Sequence, residues 1–353
     1  MSRQLLRIID ANLNRSSEGL RLLEDIAGHV LNDAQMRQQL NGMRRRLAQN
    51  AWPLELGLLS QRDREHAIGG DVEVALERHN IADIVRINAK MVQESLRVIE
   101  ELARLPDISA TLDSGDFEQA RVALYSIEGR LVSTILRGEK TKQLTGLYVV
   151  LDTQGLAGRD EIQIAGEIIQ GGAKAIQLRD KQRSRGRLLT IAKKLQELCA
   201  ESGVLFIVND HLDLALCSDA DGLHVGQQDL PLAAVREVLP IDKIVGCSVT
   251  TLSQAMEAEG EGADYIAVGS IFPTAAKANA VLVGLDTLKQ VKQAVSRPLV
   301  AIGGITEDSI EQVVAAGADS VAVIGAVLGK ENVRAATEQL VAKIDLARRK
   351  CQE

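Results

Sequence analysis

Aromatic side chains are scarce: Phe, Trp and Tyr make up 2% of the 353 residues. That scarcity argues against a nucleic-acid surface built on base stacking. It leaves Ala, Val, Ile and Leu to build the core, a composition that suits strands buried on both faces better than a β-sandwich. Basic charge is not in excess. Lys and Arg number 41 against 48 Asp and Glu, a formal net charge of −7, which speaks against broad electrostatic binding to nucleic acid or an anionic membrane. A local cation cluster or a metal can still reverse the field inside one cleft. Cysteine is sparse, and Cys199, Cys217, Cys247 and Cys351 form no CxxC pair. They fit buried or incidental thiols in a reducing compartment. Long apolar runs are missing, and Met1 to Asp10 has no apolar core of a signal peptide. The expectation is a soluble, cytoplasmic protein with no membrane partner.

What is present is 46% hydrophobic residues, enough for a sizeable core, in a length that suggests two domains. The two halves differ in texture. Up to about Arg137 the pattern is helical, charged and strand-poor. Leu13, Leu20, Leu23 and Ala27 recur at helical spacing, as do Val85, Val92, Leu96 and Ile99. Pro53 and the Gly69-Gly70 pair mark breaks. Asn12 to Ala27 and Asn88 to Ala103 share Asn, Glu, Leu-Arg, Glu and Ala in one register, which predicts a duplicated helical hairpin about a pseudo-two-fold. Glu18 with Arg21, and Glu94 with Arg97, are spaced for surface ion pairs; a polar cleft between the copies is the sharper alternative. The expected boundaries are a helical domain over 1–137, a polar linker over 138–145 and a second domain over 146–353.

Past the linker, eight short apolar runs alternate with amphipathic segments. They are Leu147–Leu151, Ala175–Leu178, Leu205–Val208, Gly222–Val225, Ile244–Val249, Tyr265–Val268, Pro298–Ile302 and Ser320–Ile324. Strands alternating with helices predict a parallel sheet, and eight such units predict a (β/α)8 barrel. An open doubly wound sheet is the alternative, although it commonly uses fewer strands.

In such a barrel chemistry sits at the C-terminal strand ends. Those ends carry Gln177, Arg179, Asp180 and Lys181, then Asn209-Asp210, Asp229, Ser248, Thr274 and Lys277, and finally Gly303-Gly304 and Gly325. Asp210 and Asp229 follow adjacent strands, so they could share one hard cation such as Mg²⁺. Each could equally cap the helix that follows it. Arg179, Lys181 and Lys277 suit a diphosphate, although Lys277 also reads as a surface lysine. Glycines after strands seven and eight occupy the common phosphate position of this fold; alone, either is a tight turn. Together these features point to two phosphorylated small-molecule substrates and a metal-assisted displacement of diphosphate.

At these motifs the sequence resembles the thiamine-phosphate synthase family. The carrying segments are GGAKAIQLRDK (171–181), NDHLDLALCSDADGLHVGQQDLP (209–231), GCSV (246–249), GADYIAVGSIFPT (262–274) and VAIGGIT (300–306), in family order from about Gly146 to Leu328. The resemblance implies union of a hydroxymethylpyrimidine diphosphate with a thiazole phosphate, or its carboxy form, in thiamine biosynthesis. A dissociative release of pyrophosphate dependent on Mg²⁺ is implied as well. By position it implies pyrimidine-diphosphate contacts at Gln177, Leu178, Arg179, Asp180, Lys181, Asn209, Ser248 and Lys277. Arg179, Lys181, Ser248 and Lys277 are implied catalytic residues, with Mg²⁺ ligands at Asp210 and Asp229. Thiazole-phosphate contacts are implied at Thr274, Ala276, Gly304, Ile324 and Gly325. A homo-oligomer is compatible with this reading.

Three positions depart from the family pattern. Ala276 stands where a second threonine is usual, Gly325 where a serine is usual, and the tract 278–281 lacks the usual proline. The helical half resembles the extension carried by some synthases of this family. Two other readings compete. A thiazole tautomerase needs a positioned acid–base residue, and of His29, His66, His79, His211 and His224 only the last two lie in the barrel; His224 reads as a core residue. A regulatory barrel without catalysis draws only on Ala276 and Gly325.

Overall fold

A computed structural model describes residues 2–54, 57–58, 80–274 and 281–352. The chain divides into two compact units between Leu136 and Arg137. Among the described residues no helix is long and apolar enough to cross a membrane.

The first unit is helical: α1 is Arg3–Asp25, α2 Ala34–Ala51, α3 Ile81–Ala103 and α4 Ser114–Gln143. Side chains of Ser2, Asp33 and Asn80 accept from the first-turn amides of Leu5, Met36 and Asp83, satisfying donors that a helix start leaves orphaned. Pro53 lies in the 3-10 turn Trp52–Leu54 that ends α2; Gly69-Gly70 lies outside the described residues. The internal repeat is visible in the bonding. Asn12 and Asn88, at matching positions, each donate to the carbonyl four residues back at 2.8 Å. Glu24 and Glu100, also matched, are both buried. Glu24 accepts from Asn41 and Arg44, and Glu100 from Arg97, Arg104 and Arg121. Arg97 thus turns toward Glu100 and Glu101 rather than back to Glu94. Gly19 lets α1 press against α3, because a Cβ there would enter the Val92 side chain.

The expected linker is largely helical, because α4 runs to Gln143. One glycine, Gly138, costs a helix only about 1 kcal/mol. Lys140 and Lys142 in the last turn favour the negative end of the helix dipole. Lys140 also pairs with Asp221 at 3.2 Å and Asp242 at 3.4 Å.

The second unit is a closed barrel of eight parallel strands, each beside its chain neighbour, with β8 returning to β1. The strands are β1 Gly146–Asp152, β2 Ala175–Arg179, β3 Leu205–Asn209, β4 Gly222–Val225, β5 Ile244–Val249, β6 Tyr265–Val268, β7 Leu299–Ile302 and β8 Ser320–Val323. Closure settles the choice against an open sheet. Alternation sorts the side chains into two layers. Leu147, Val149 and Leu151 face the helices, whereas Tyr148 and Val150 pack inside with Leu205, Ile207, Tyr265 and Val300. Two of the three tyrosines thus lie in the barrel interior.

Gly246 is in register with Tyr265 on the next strand, and a Cβ there would fall within the Tyr265 ring. Gly246→Ala is therefore expected to cost roughly 1–3 kcal/mol by overpacking. Gly325→Ala should cost little, since a Cβ there meets nothing within 4 Å. Comparing the thermal melting of the two variants checks this.

Candidate active site

Carboxylates of Asp210 and Asp229 meet at the rim of β3 and β4. Asp210 follows β3 in the left-handed region, φ +62°, which Asp tolerates better than most residues. Its N–H donates to the His224 carbonyl at 2.8 Å, fixing it across the β3–β4 seam. Asp229 folds back so that its carboxylate accepts from the Gly226 N–H at 2.7 Å. Neither aspartate caps a helix: the following helices start at His211 and Pro231 without a side-chain cap. The two carboxyl groups are within hydrogen-bonding reach of each other. Burial first, then the Asp229 charge and this shared bond, push the Asp210 carboxyl up to about 6, while Lys181 and Asn209 pull the other way. Two acids held this close are a donor set for a hard divalent ion. Among the described residues no cluster of three or more His, Cys, Asp and Glu is placed to hold a metal.

A cleft of about 530 Å³ opens beside Asp210, lined by Lys181, Arg183, Arg185 and His211 among others. Arg179 reaches across the rim to form an ion pair with Asp152 at the end of β1. Asp180 is a loop organiser. Its carboxylate accepts from the Gln182 and Arg183 amides, each at 2.8 Å, and from the Thr153 hydroxyl at 2.6 Å. Burial alone would raise its pKa, but these bonds and the Arg183 charge outweigh it and hold the carboxyl below the ordinary range. Stability from this group is present above the usual carboxylate value of about 4 and is lost as pH falls through the lowered value. Asp180→Asn should accordingly flatten the acid limb of unfolding below about pH 4, measured by denaturant melts across pH.

Inside the barrel a polar line crosses the mouth. Gln177 Nε2 donates to the Tyr148 hydroxyl at 2.8 Å, and that hydroxyl lies 3.1 Å from Tyr265 Oη. Tyr265 Oη is 3.0 Å from His224 Nδ1, and His224 Nε2 is 2.8 Å from Ser248 Oγ. Burial drives His224 down to about 4, only slightly opposed by Asp229, so the ring is neutral. Desolvation raises both tyrosines.

On the β7–β8 side, Gly303 and Gly304 have φ +102° and +66°. Their backbone lies flush against the loop after β6. A Cβ on either would invade Ser270 or Phe272-Pro273, and the Gly303 carbonyl accepts from Phe272 N–H at 2.9 Å. Thr274 is half-buried on that loop and Ile324 half-buried after β8. Gly325 opens the single helical turn Gly325–Leu328.

Of the residues expected at the site, Gln177, Arg179, Lys181, Asn209, Asp210, Asp229 and Ser248 gather at the rim of β2 to β5. Leu178 does not bring its side chain there: it packs in the outer layer against the helices, because alternation turns Gln177 and Arg179 inward and Leu178 outward. Ala276 and Lys277 lie outside the described residues. Sequence reasoning missed Asp152, Arg183, Arg185, Tyr148 and Tyr265. The run KQRSR after β2 and the rarity of tyrosine were the available signals.

Comparison with known proteins finds matches over both halves of the chain. The family model for thiamine monophosphate synthase matches residues 147–327, and the model for the ThiD2 family matches residues 7–130. The chain is similar to a thiamine-phosphate synthase of Thermosynechococcus vestitus, 35% identical over 342 residues, covering 97% of this chain and 95% of the relative. A thiamine-phosphate synthase of Shouchella clausii is 46% identical over 202 residues, covering 57% of this chain and 97% of the relative. The solved thiamine phosphate pyrophosphorylase from Pyrococcus furiosus covers 59% of this chain and 98% of its own, with 40% identity and a TM-score of 0.55. A barrel with this rim, matched by the family model and by relatives over nearly their full length, belongs to the thiamine-phosphate synthase family.

Proposed function

We propose that the barrel joins a hydroxymethylpyrimidine diphosphate to a thiazole phosphate by dissociative displacement, with Asp210 and Asp229 holding Mg²⁺. In the reaction the bond from the pyrimidine methylene to the diphosphate oxygen breaks, and its electron pair leaves with pyrophosphate. The methylene carbon, left cationic, takes the lone pair of the thiazole nitrogen to form thiamine phosphate. When bound, Mg²⁺ neutralises charge on the departing diphosphate. Such a path asks for leaving-group stabilisation and orientation more than for a strong base.

The chain's own residues have matching tasks. Lys181, Arg179 and Lys277 supply positive charge to the diphosphate, and Ser248 supplies a hydroxyl donor. Gln177 and Asn209 orient the pyrimidine side, while Asp180 holds the loop that carries Lys181. Backbone amides at Gly304 and Gly325, with Thr274, serve the thiazole phosphate. Ala276 removes one hydroxyl donor, a loss of roughly 1.5–3 kcal/mol in binding, so thiazole affinity bears the cost rather than diphosphate chemistry.

The observation that carries this reading is the contact of the Asp210 and Asp229 carboxyls beside the Lys181 charge. His224 gives a tautomerase little support, since both its ring nitrogens are already engaged. Pyrophosphate release from the full chain is the test. Release should need both substrates and Mg²⁺ and stop on adding chelator. Release undiminished by chelator would remove the metal from the mechanism, and no release with both substrates bound would indicate a regulatory barrel.

A further inference from the structure

The line from Gln177 through Tyr148, Tyr265 and His224 to Ser248 draws one side chain from each of five strands. Its proton count gives it a direction. The Gln177 Nε2 amide can only donate. Tyr148 oxygen therefore accepts, and its single proton goes to Tyr265. Tyr265 in turn gives its proton to His224 Nδ1. A neutral ring that accepts at Nδ1 carries its proton on Nε2 and donates it to Ser248 Oγ. Reversing the segment beyond Tyr148 would leave the Tyr148 proton without a partner in a buried place, a costly arrangement. With its oxygen occupied by His224, Ser248 keeps its own O–H for the rim. We propose that this line fixes the polarity of Ser248, so that its hydroxyl is held as a donor toward the leaving diphosphate. Tyr148, Tyr265 and His224 are thus positioning residues for the reaction.

The line rests on the displacement reading above only in naming what Ser248 faces; the polarity itself can be tested without turnover. Chains of hydrogen bonds polarise one another, so a break far from Ser248 is felt at Ser248. Gly246, whose missing Cβ admits the Tyr265 ring, is part of the same construction.

Two measurements on the full chain test the proposal. Nitrogen-15 NMR of His224 should show the neutral ring protonated on Nε2; a ring protonated on Nδ1 would overturn the proposal whether or not the protein turns over. Kinetics supply the second arm. Ser248→Ala should lower kcat by roughly 10- to 100-fold, the loss of one donor to a charged oxygen. Tyr265→Phe should lower kcat by roughly 5- to 10-fold with KM for the pyrimidine diphosphate unchanged. The double variant should be no slower than Ser248→Ala alone. Losses that multiply in the double variant would assign Tyr265 to packing and contradict the proposal. If Tyr265→Phe does not fold, Tyr148→Phe takes its place in the cycle. A wild-type protein without pyrophosphate release would fail the displacement reading and leave the tautomer result to decide the line.

Discussion

Asp229→Asn is expected to slow pyrophosphate release by roughly 100- to 1,000-fold, the scale on which one preorganised electrostatic contact acts in a water-poor site. The amide keeps the size of the carboxylate and can still accept from the Gly226 N–H, so the turn survives. What it loses is charge. Without metal the variant should melt no lower than the parent, because one member of a crowded acidic pair is neutralised. Activity and stability then move in opposite senses, as they do where a site is held at the expense of the fold. A steady-state assay with a thermal melt checks both. A loss smaller than tenfold, or a melting point that falls sharply, would show that Asp229 serves the loop and not the chemistry.

Glu100→Ala is expected to be the most damaging change among the buried carboxylates of the helical unit. Glu100 is fully buried and takes Arg97 and Arg104 at 2.7 Å and Arg121 at 3.0 Å. Removing one side of a buried ion pair costs roughly 3–5 kcal/mol. Arg97 and Arg104 are about half exposed and can turn to water, which discounts their share. Arg121 is mostly covered, so its uncompensated charge is the main cost. The lower end, about 3 kcal/mol, is the expectation. Glu24→Ala, whose nearest arginine sits at 3.2 Å, should cost less. Glu118, half exposed and 3.6 Å from Arg104, supplies the surface control, within about 0.5 kcal/mol of the parent. Circular dichroism during denaturation reads the first unit's transition. Equal effects of Glu100 and Glu118 would contradict the assignment.

The barrel was legible because strands buried on both faces read as unbroken apolar runs. The runs around Gly222–Val225 and Ile244–Val249 have the strand limits themselves. The helical repeat was legible through Asn12 and Asn88, whose shared bond to the preceding turn repeats at the same distance. The linker was not legible. A single glycine among good helix formers does not stop a helix, and Gly138 sits within one. Leu178 was carried along with its neighbours although period-two alternation already turned it outward. The two readings of Asp210 and Asp229, cap or paired acids, could be separated only by tertiary placement. His224 was rightly read as buried, but its partner Tyr265 lies two strands away, and Tyr148, which bonds to Tyr265, comes from β1 across the barrel.

That Asp210 and Asp229 grip one ion is tested most directly by titrating Mn²⁺ in the presence of pyrophosphate, followed by electron paramagnetic resonance. The parent chain should bind about one ion with oxygen coordination, and both Asp210→Asn and Asp229→Asn should weaken that binding strongly. Binding that persists unchanged in both variants would contradict the shared site.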